Sequence, residues 1–569
     1  MRHARLLRLL LTLAAACLTA HPGPAAAASR APALLAAMTL EEKVGQIFMV
    51  WFEGPDVSPE TAALIRDHRL GGVILYANAG NIETPGQVAR LTASLQATAA
   101  DTPQGLGLLV GVDQEGGPVA RLRRGFTVFP SQMAQAAAGR ADLVRQAAAA
   151  TGRELLAVGI NTDFAPVADV NVNPANPVIG IRSFGANPAD VARFTAAATA
   201  GYASVGAICT PKHFPGHGDT AVDSHVGLPR VDHDAATLSR IDFPPFRAAF
   251  AAGAPAVMTA HVLTPDLEPD NLPATLSRRM LSGVLRGRLG FDGVIFTDSL
   301  GMGAVAATYG TAEAAVMALA AGADVLLVGA DAGRPASERL EAMDQVLLAV
   351  RTGRVPVNRL DTAVLRVLRL KERFGLLRAA ALDTPAANLE TRLATPASAA
   401  LARRIAARAL TAFGPTVPAL PVSAEAGTLV VRPRLGREAT DAEAEAGLAA
   451  LHGPQTLFLP ADPDARAIAD VVAKARDARR VVLLVTDARS REGQRRLAEA
   501  LAGEEPRRLV LVAAESPYDL PLLPPAGARL ATYGETPAGL DALWKALVAP
   551  YRFSGRSPAG RLAGSETLP

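Results

Sequence analysis

The chain has 569 residues, half of them hydrophobic, with 57 basic against 54 acidic side chains and a net charge of +3. That length exceeds one ordinary domain and suits a large enzyme domain followed by a second one. The near-balance of charge leaves no electrostatic footprint for nucleic acid, and only five lysines occur, at 43, 212, 371, 474 and 545.

Residues 1–28 read as an export leader. Arg2, His3, Arg5 and Arg8 give a basic start, Leu9 to Leu18 a short apolar run, and Ala26-Ala27-Ala28 a small-residue cleavage pattern before Ser29. The run is too short to span a bilayer. Lipid attachment at Cys17 is the alternative. Ala14 stands three residues before it where a bulky aliphatic is usual, so simple cleavage and a periplasmic or extracellular destination are expected. Cleavage leaves Cys209 as the one cysteine, so no intrachain disulfide is available. No later segment has the length and apolarity of a membrane helix, and the chain is not expected to be an integral membrane protein.

Eight apolar runs follow, at 46–52, 71–77, 106–113, 159–169, 206–214, 255–261, 291–298 and 323–329. Runs this continuous suit strands buried on both faces, as in a parallel sheet. Stretches with helical spacing separate them, such as 237–253 and 335–353. Eight β/α units predict a TIM barrel over residues 36–385. A doubly wound open sheet is the alternative. The barrel is preferred because polar residues cluster after nearly every run, as they would around one shared mouth. Residues 386–400 read as a linker. Residues 401–569 then supply a helix at 401–414 and four more apolar runs, predicting a smaller three-layer α/β sandwich. No Gly-rich phosphate loop follows these runs, and no cofactor is expected.

Chemistry concentrates at the ends of the barrel runs, where TIM barrels carry their active sites. Residues 211–229 hold Lys212, His213, His217, Asp219, Asp223 and His225 among prolines and glycines. Two readings compete for this loop. One is a metal site using His213, His217, Asp219, Asp223 and His225, which would make a metal-dependent hydrolase. The other pairs Asp223 with His225, the carboxylate orienting and charging an imidazole that gives and takes protons. The seventh run ends at Asp298, which reads either as a helix cap or as a catalytic carboxylate. Asp113, Arg121 and Arg182 fall near other strand ends. A carboxylate among Lys212, Arg121 and Arg182 would stay ionised, as attack on an anomeric carbon requires. Glu115 and the glycines after it are expected to shape a turn. Asp163 and Asp169 read as structural as readily as functional, and Cys209 as a packed core thiol.

KHFPGHG followed by DSH, with DQEGG upstream and TDSLGM downstream, resembles glycoside hydrolase family 3 in its β-N-acetylhexosaminidase branch. The motif order matches along the whole barrel. The C-terminal part is similar to the family's second domain, more loosely, through 402–411, 516–520 and 553–562. The resemblance implies a retaining two-step hydrolysis of carbohydrate, with Asp298 as nucleophile and His225, supported by Asp223, as acid/base. It implies that Asp113, Arg121, Arg182, Lys212 and His213 hold the sugar, and that no metal takes part. Peptidoglycan fragments or chito-oligosaccharides bearing N-acetylglucosamine are the implied substrates. A phosphorylase or β-glucosidase activity of the same family is the alternative.

Overall fold

The computed structural model describes residues 29–379, 388–414, 420–422, 427–449 and 454–560. The expected leader and Cys17 lie outside these residues. Ten short strands occupy the first part of the chain: β1 (Phe48–Val50), β2 (Gly72–Ile74), β3 (Leu109–Val112), β4 (Gln114–Gly116), β5 (Val119–Ala120), β6 (Thr162–Asp163), β7 (Ile208–Cys209), β8 (Ala256–Met258), β9 (Val294–Phe296) and β10 (Leu326–Val328). β4 and β5 form a small antiparallel hairpin. The other eight are parallel, and each lies within one of the eight apolar runs.

These eight strands close on themselves. β10, β1, β2, β3, β6 and β7 form one continuous parallel sheet, and β8 pairs with β9. Single bridges from Phe214 to Thr259 and from Phe296 to Val325 join the two pieces into a ring. The ring replaces the doubly wound alternative. Strand alternation explains why the runs are apolar throughout. Met49, Ile74, Leu109, Met258, Phe296 and Leu327 fill the barrel interior, while Phe48, Val50, Val73, Val110, Leu326 and Val328 pack outward against the helices. Among the described residues no single helix is long and apolar enough to cross a membrane.

The expected linker at 386–400 is ordered where it is described, and this corrects the sequence reading. A short helix covers Leu389–Arg392, and a longer one runs from Pro396 to Ala409 rather than from 401 to 414. The cause is local. The Thr395 hydroxyl accepts the N–H of Ser398, Pro396 takes the first helical position, and alanines follow. The helix packs Leu401 and Ile405 against Leu143, Ala147 and Ala150 of the barrel helix Ala141–Ala157.

The second unit holds β11 (Thr411–Phe413), β12 (Thr428–Pro433), β13 (Gln455–Leu459), β14 (Arg480–Val485), β15 (Leu509–Ala513) and β16 (Ala528–Ala531). Their order is β13-β12-β14-β15-β16-β11, parallel except for β11. Alternate residues of the central strands point into two separate cores. Val431, Leu483 and Leu511 pack on one face, and Val430, Val482 and Val510 on the other. Helices cover both faces, giving the three-layer sandwich.

The carboxyl ends of these strands dock on the barrel's mouth loops. The Ser131 hydroxyl donates to the carbonyl of Tyr533 at 2.5 Å, and the N–H of Ala186 donates to the carbonyl of Pro558 at 2.9 Å. The buried Tyr518 hydroxyl meets both the side-chain amide (3.1 Å) and the backbone carbonyl (3.3 Å) of Asn171.

Candidate active site

A cavity of about 500 Å³ sits at the carboxyl ends of the barrel strands. It is lined by Asp113, Arg121, Arg182, Lys212, His213, His225 and Asp298, all anticipated from the sequence. Asp223 stands behind His225.

β3 and the β4–β5 hairpin bring Asp113, Glu115 and Arg121 to one wall. Glu115 is buried and accepts a two-pronged pair from Arg182, at 2.9 and 2.8 Å. Lys212 spans from Glu115 to Asp113, 2.7 Å from each. Burial by itself would raise the Glu115 carboxyl. The Arg182 and Lys212 charges outweigh burial and hold it well below the usual carboxylate range. Glu115 therefore fixes both cations, which is more than the turn-shaping expected of it. Arg121 is looser. It lies 4.0 Å from Asp113, and its buried Nε has no hydrogen-bond partner among the described residues.

The stretch after β6 supplies Asp169, whose carboxylate organises the next loop. It accepts Nδ1–H of His213 at 2.7 Å and the backbone N–H of His217, also at 2.7 Å. His213 lines the cavity, and its Nε2 lies 3.5 Å from the Arg182 guanidinium. His217 reaches Thr220 (2.7 Å) and Ser224 (3.1 Å) through its two ring nitrogens. Burial pushes its pKa down to about 4, so it is a neutral brace. Gly218 is required here, because a Cβ would lie 1.9 Å from the carbonyl oxygen of Val170.

The loop then places Asp223 and His225 together. One Asp223 oxygen accepts both the backbone N–H (2.9 Å) and Nδ1 (2.7 Å) of His225. This hydrogen bond, reinforced by the charges of Asp223, Asp298 and Asp331, raises the imidazole pKa above its ordinary value. The dyad rests on the turn after β9, where the N–H of Ala304 donates to the carbonyl of Ser224 at 3.1 Å. Gly303 admits it, since a Cβ there would lie 2.6 Å from the carbonyl oxygen of His225.

Asp298 follows β9 directly. The next helix starts at Gly303 with Met302 at its cap, so Asp298 is not a helix cap. Its Oδ1 accepts the N–H of Ser299 at 2.8 Å. Burial would raise its pKa, but His261, His213, the Ser299 amide and Lys212 together bring it below the ordinary value. The pocket thus holds an ionised carboxylate beside an imidazole that favours its protonated form.

The histidines of the loop do not converge. His213 bonds Asp169, His225 bonds Asp223, and His233 lies between Asp219 and Asp242. Among the described residues no group of three or more His, Cys, Asp or Glu side chains could hold a metal ion.

Sequence reasoning missed Asp331, which follows β10 and lines the cavity. It accepts the Ser299 hydroxyl at 2.5 Å. The available signal was a carboxylate two residues past the eighth run, near the carboxyl end of its strand as Asp113 and Asp298 are of theirs.

The chain is similar in sequence and fold to known proteins. The family model described as Glycosyl hydrolase family 3 N terminal domain matches residues 39–370. The Beta-hexosaminidase A of Pseudoalteromonas piscicida is 37% identical over 56% of this chain; the match spans 55% of that relative's length. The Beta-N-acetylglucosaminidase/beta-glucosidase of Cellulomonas fimi is 31% identical over 93% of this chain and 95% of its own. The solved structure of a glycoside hydrolase family 3 beta-N-acetylglucosaminidase from Paenibacillus sp. str. FPU-7 is 38% identical. It covers 92% of this chain and 99% of that one, with a TM-score of 0.85.

Proposed function

The chain belongs to glycoside hydrolase family 3, and from that premise we propose that it removes terminal β-linked N-acetylglucosamine by a retaining, two-step hydrolysis. One observation carries the reading: an ionised, half-buried Asp298 shares a cavity with a carboxylate-backed His225. In the first step the Asp298 carboxylate attacks the anomeric carbon and the glycosidic bond breaks. His225 gives its Nε2 proton to the departing oxygen. In the second step His225 takes a proton from water, and the resulting oxygen nucleophile displaces Asp298. Arg121, Arg182, Lys212, His213 and Asp113 hold the sugar's hydroxyl and acetamido groups by charge-assisted hydrogen bonds. The aspartate and the imidazole replace the two-carboxylate arrangement usual in retaining glycosidases.

Residues 1–28 act as an export leader in this reading, and the substrates are glycans met outside the cytoplasm, peptidoglycan fragments or chito-oligosaccharides. NMR of the first product formed from an aryl N-acetyl-β-glucosaminide tests the chemistry. The β-anomer of free N-acetylglucosamine is expected, in phosphate buffer as in its absence. Initial α-anomer would overturn retention, and sugar-1-phosphate would overturn water as the acceptor.

The second unit acts on this site through Asn171. The Asn171 side-chain oxygen accepts the N–H of Gly180 at 3.1 Å, at the head of the turn that carries Arg182. Tyr518 fixes Asn171 from the other side. Tyr518→Phe keeps the ring and removes the hydroxyl. It is expected to raise KM about fivefold with kcat little changed, the loss of roughly one buried hydrogen bond. Michaelis curves for wild type and variant check this.

A further inference from the structure

Beyond Asn78 and Asp331 the catalytic cavity adjoins a second chamber of about 710 Å³. The two share Asn78, Ala330, Asp331 and Ala332 as a common border. At that volume the second chamber is roomy enough for the sugar that leaves. Asp331 lies within electrostatic reach of the His225 imidazole. The border therefore runs beside the group that protonates the departing oxygen, and a leaving sugar emerges along it.

The chamber's lining has a distinct chemistry. Trp51, just after β1, contributes an indole, the kind of flat apolar surface on which a sugar ring's C–H face packs. The indole is held in place. The Arg339 guanidinium sits 5.4 Å from its centroid and donates to the Trp51 carbonyl at 2.7 Å. Three carboxylates line the chamber, from Glu53, Glu60 and Asp331. The one cation among its lining residues, Arg334, is paired with Glu338 at 3.3 Å. Glu53 and Glu60 form no close ion pair among the described residues, although the Arg339 charge acts on Glu53.

Resting on the hydrolytic reading above, we propose that this chamber is the leaving-group subsite and that it selects a sugar bearing a free ammonium. Partially N-deacetylated chitin carries such a group. A peptide-free N-acetylmuramic acid instead brings its lactyl carboxylate against Glu53, Glu60 and Asp331, and is disfavoured by like charge. The acidic chamber thereby distinguishes leaving sugars that the catalytic cavity alone accepts equally, since that cavity holds only the N-acetylglucosamine they share.

The test compares three disaccharides with non-reducing N-acetylglucosamine, joined to glucosamine, to N-acetylglucosamine or to N-acetylmuramic acid, with an aryl N-acetyl-β-glucosaminide as control. At slightly acidic pH the glucosamine-terminated substrate should show kcat/KM about tenfold above the neutral one, and the muramic substrate should fall below both. Added salt should shrink the spread. Glu53→Gln with Glu60→Gln should narrow the amine preference to about twofold. Equal rates on the three disaccharides, preference for the muramic one, or a preference that survives the double variant would each overturn the subsite. Absence of wild-type turnover on the aryl substrate would instead overturn the hydrolytic reading on which it rests.

Discussion

Asp298→Ala is expected to lower turnover of an aryl N-acetyl-β-glucosaminide by about 10⁴-fold or more, with the folded state retained. The size follows from the chemistry, since no other group in the cavity is placed to form the covalent sugar. Asp113 is committed to Lys212 at 2.7 Å. Asp331 is tied to Ser299, and burial raises its pKa. Retention of the fold follows from how little Asp298 supports. Among the described residues its one hydrogen bond is from the Ser299 amide, and it makes no ion pair. The matching control is thermal unfolding, which should show no large drop. Azide added to the variant separates a nucleophile from a merely electrostatic carboxylate. It can occupy the vacated space and attack the same face of an activated substrate, yielding the α-glycosyl azide. Activity within tenfold of wild type would remove Asp298 from its role.

The barrel was legible because strands buried on both faces are apolar at most positions, and each of the eight runs contains one, although β6 itself is Thr162–Asp163. The extent of the strands was not. β6 is only Thr162–Asp163, although its run spans eleven residues. β11 and β16 went unread because Thr-Ala-Phe and Ala-Arg-Leu-Ala are not continuous apolar runs. β11 lies at an edge, antiparallel to its neighbour. The expected linker failed as a reading because Pro, Ala and Ser look loop-like in composition, whereas Thr395 before Pro396 is a helix start. At the site, residues within one dense motif were visible together. Charges that meet only in space were not. Arg182 and Glu115 are 67 positions apart, and Lys212 and Asp113 are 99 apart. No local pattern marks Glu115 as the counter-ion of two cations, nor Asp169 as the anchor of His213 and His217. Asp298 was ambiguous with a cap until the following helix was seen to begin at Gly303.

Asp223→Asn is expected to lower kcat by about 10² to 10⁴ on substrates with poor leaving groups, while KM stays close to wild type. Asn keeps an oxygen that can accept from the backbone N–H or Nδ1–H of His225, so the loop geometry survives. What is lost is the negative charge that holds the imidazolium. The consequence for pH follows directly. The first step needs His225 protonated and Asp298 ionised. Asp223 raises the His225 pKa above its ordinary value of 6.5, so wild-type kcat/KM should fall on the alkaline side as pH passes through that raised value. Asp298, held below its ordinary 3.8, should set an acid limb at low pH. In the variant the alkaline limb should move to lower pH, because the neutral imidazole is no longer penalised by its partner, while the acid limb stays in place. An aryl leaving group that departs without a proton should lose far less rate than a sugar, since the first step then no longer depends on His225 as acid. Equal losses on both substrates with an unmoved alkaline limb would show that Asp223 only shapes the loop. Unequal losses with a shifted limb would tie its charge to the proton that His225 transfers.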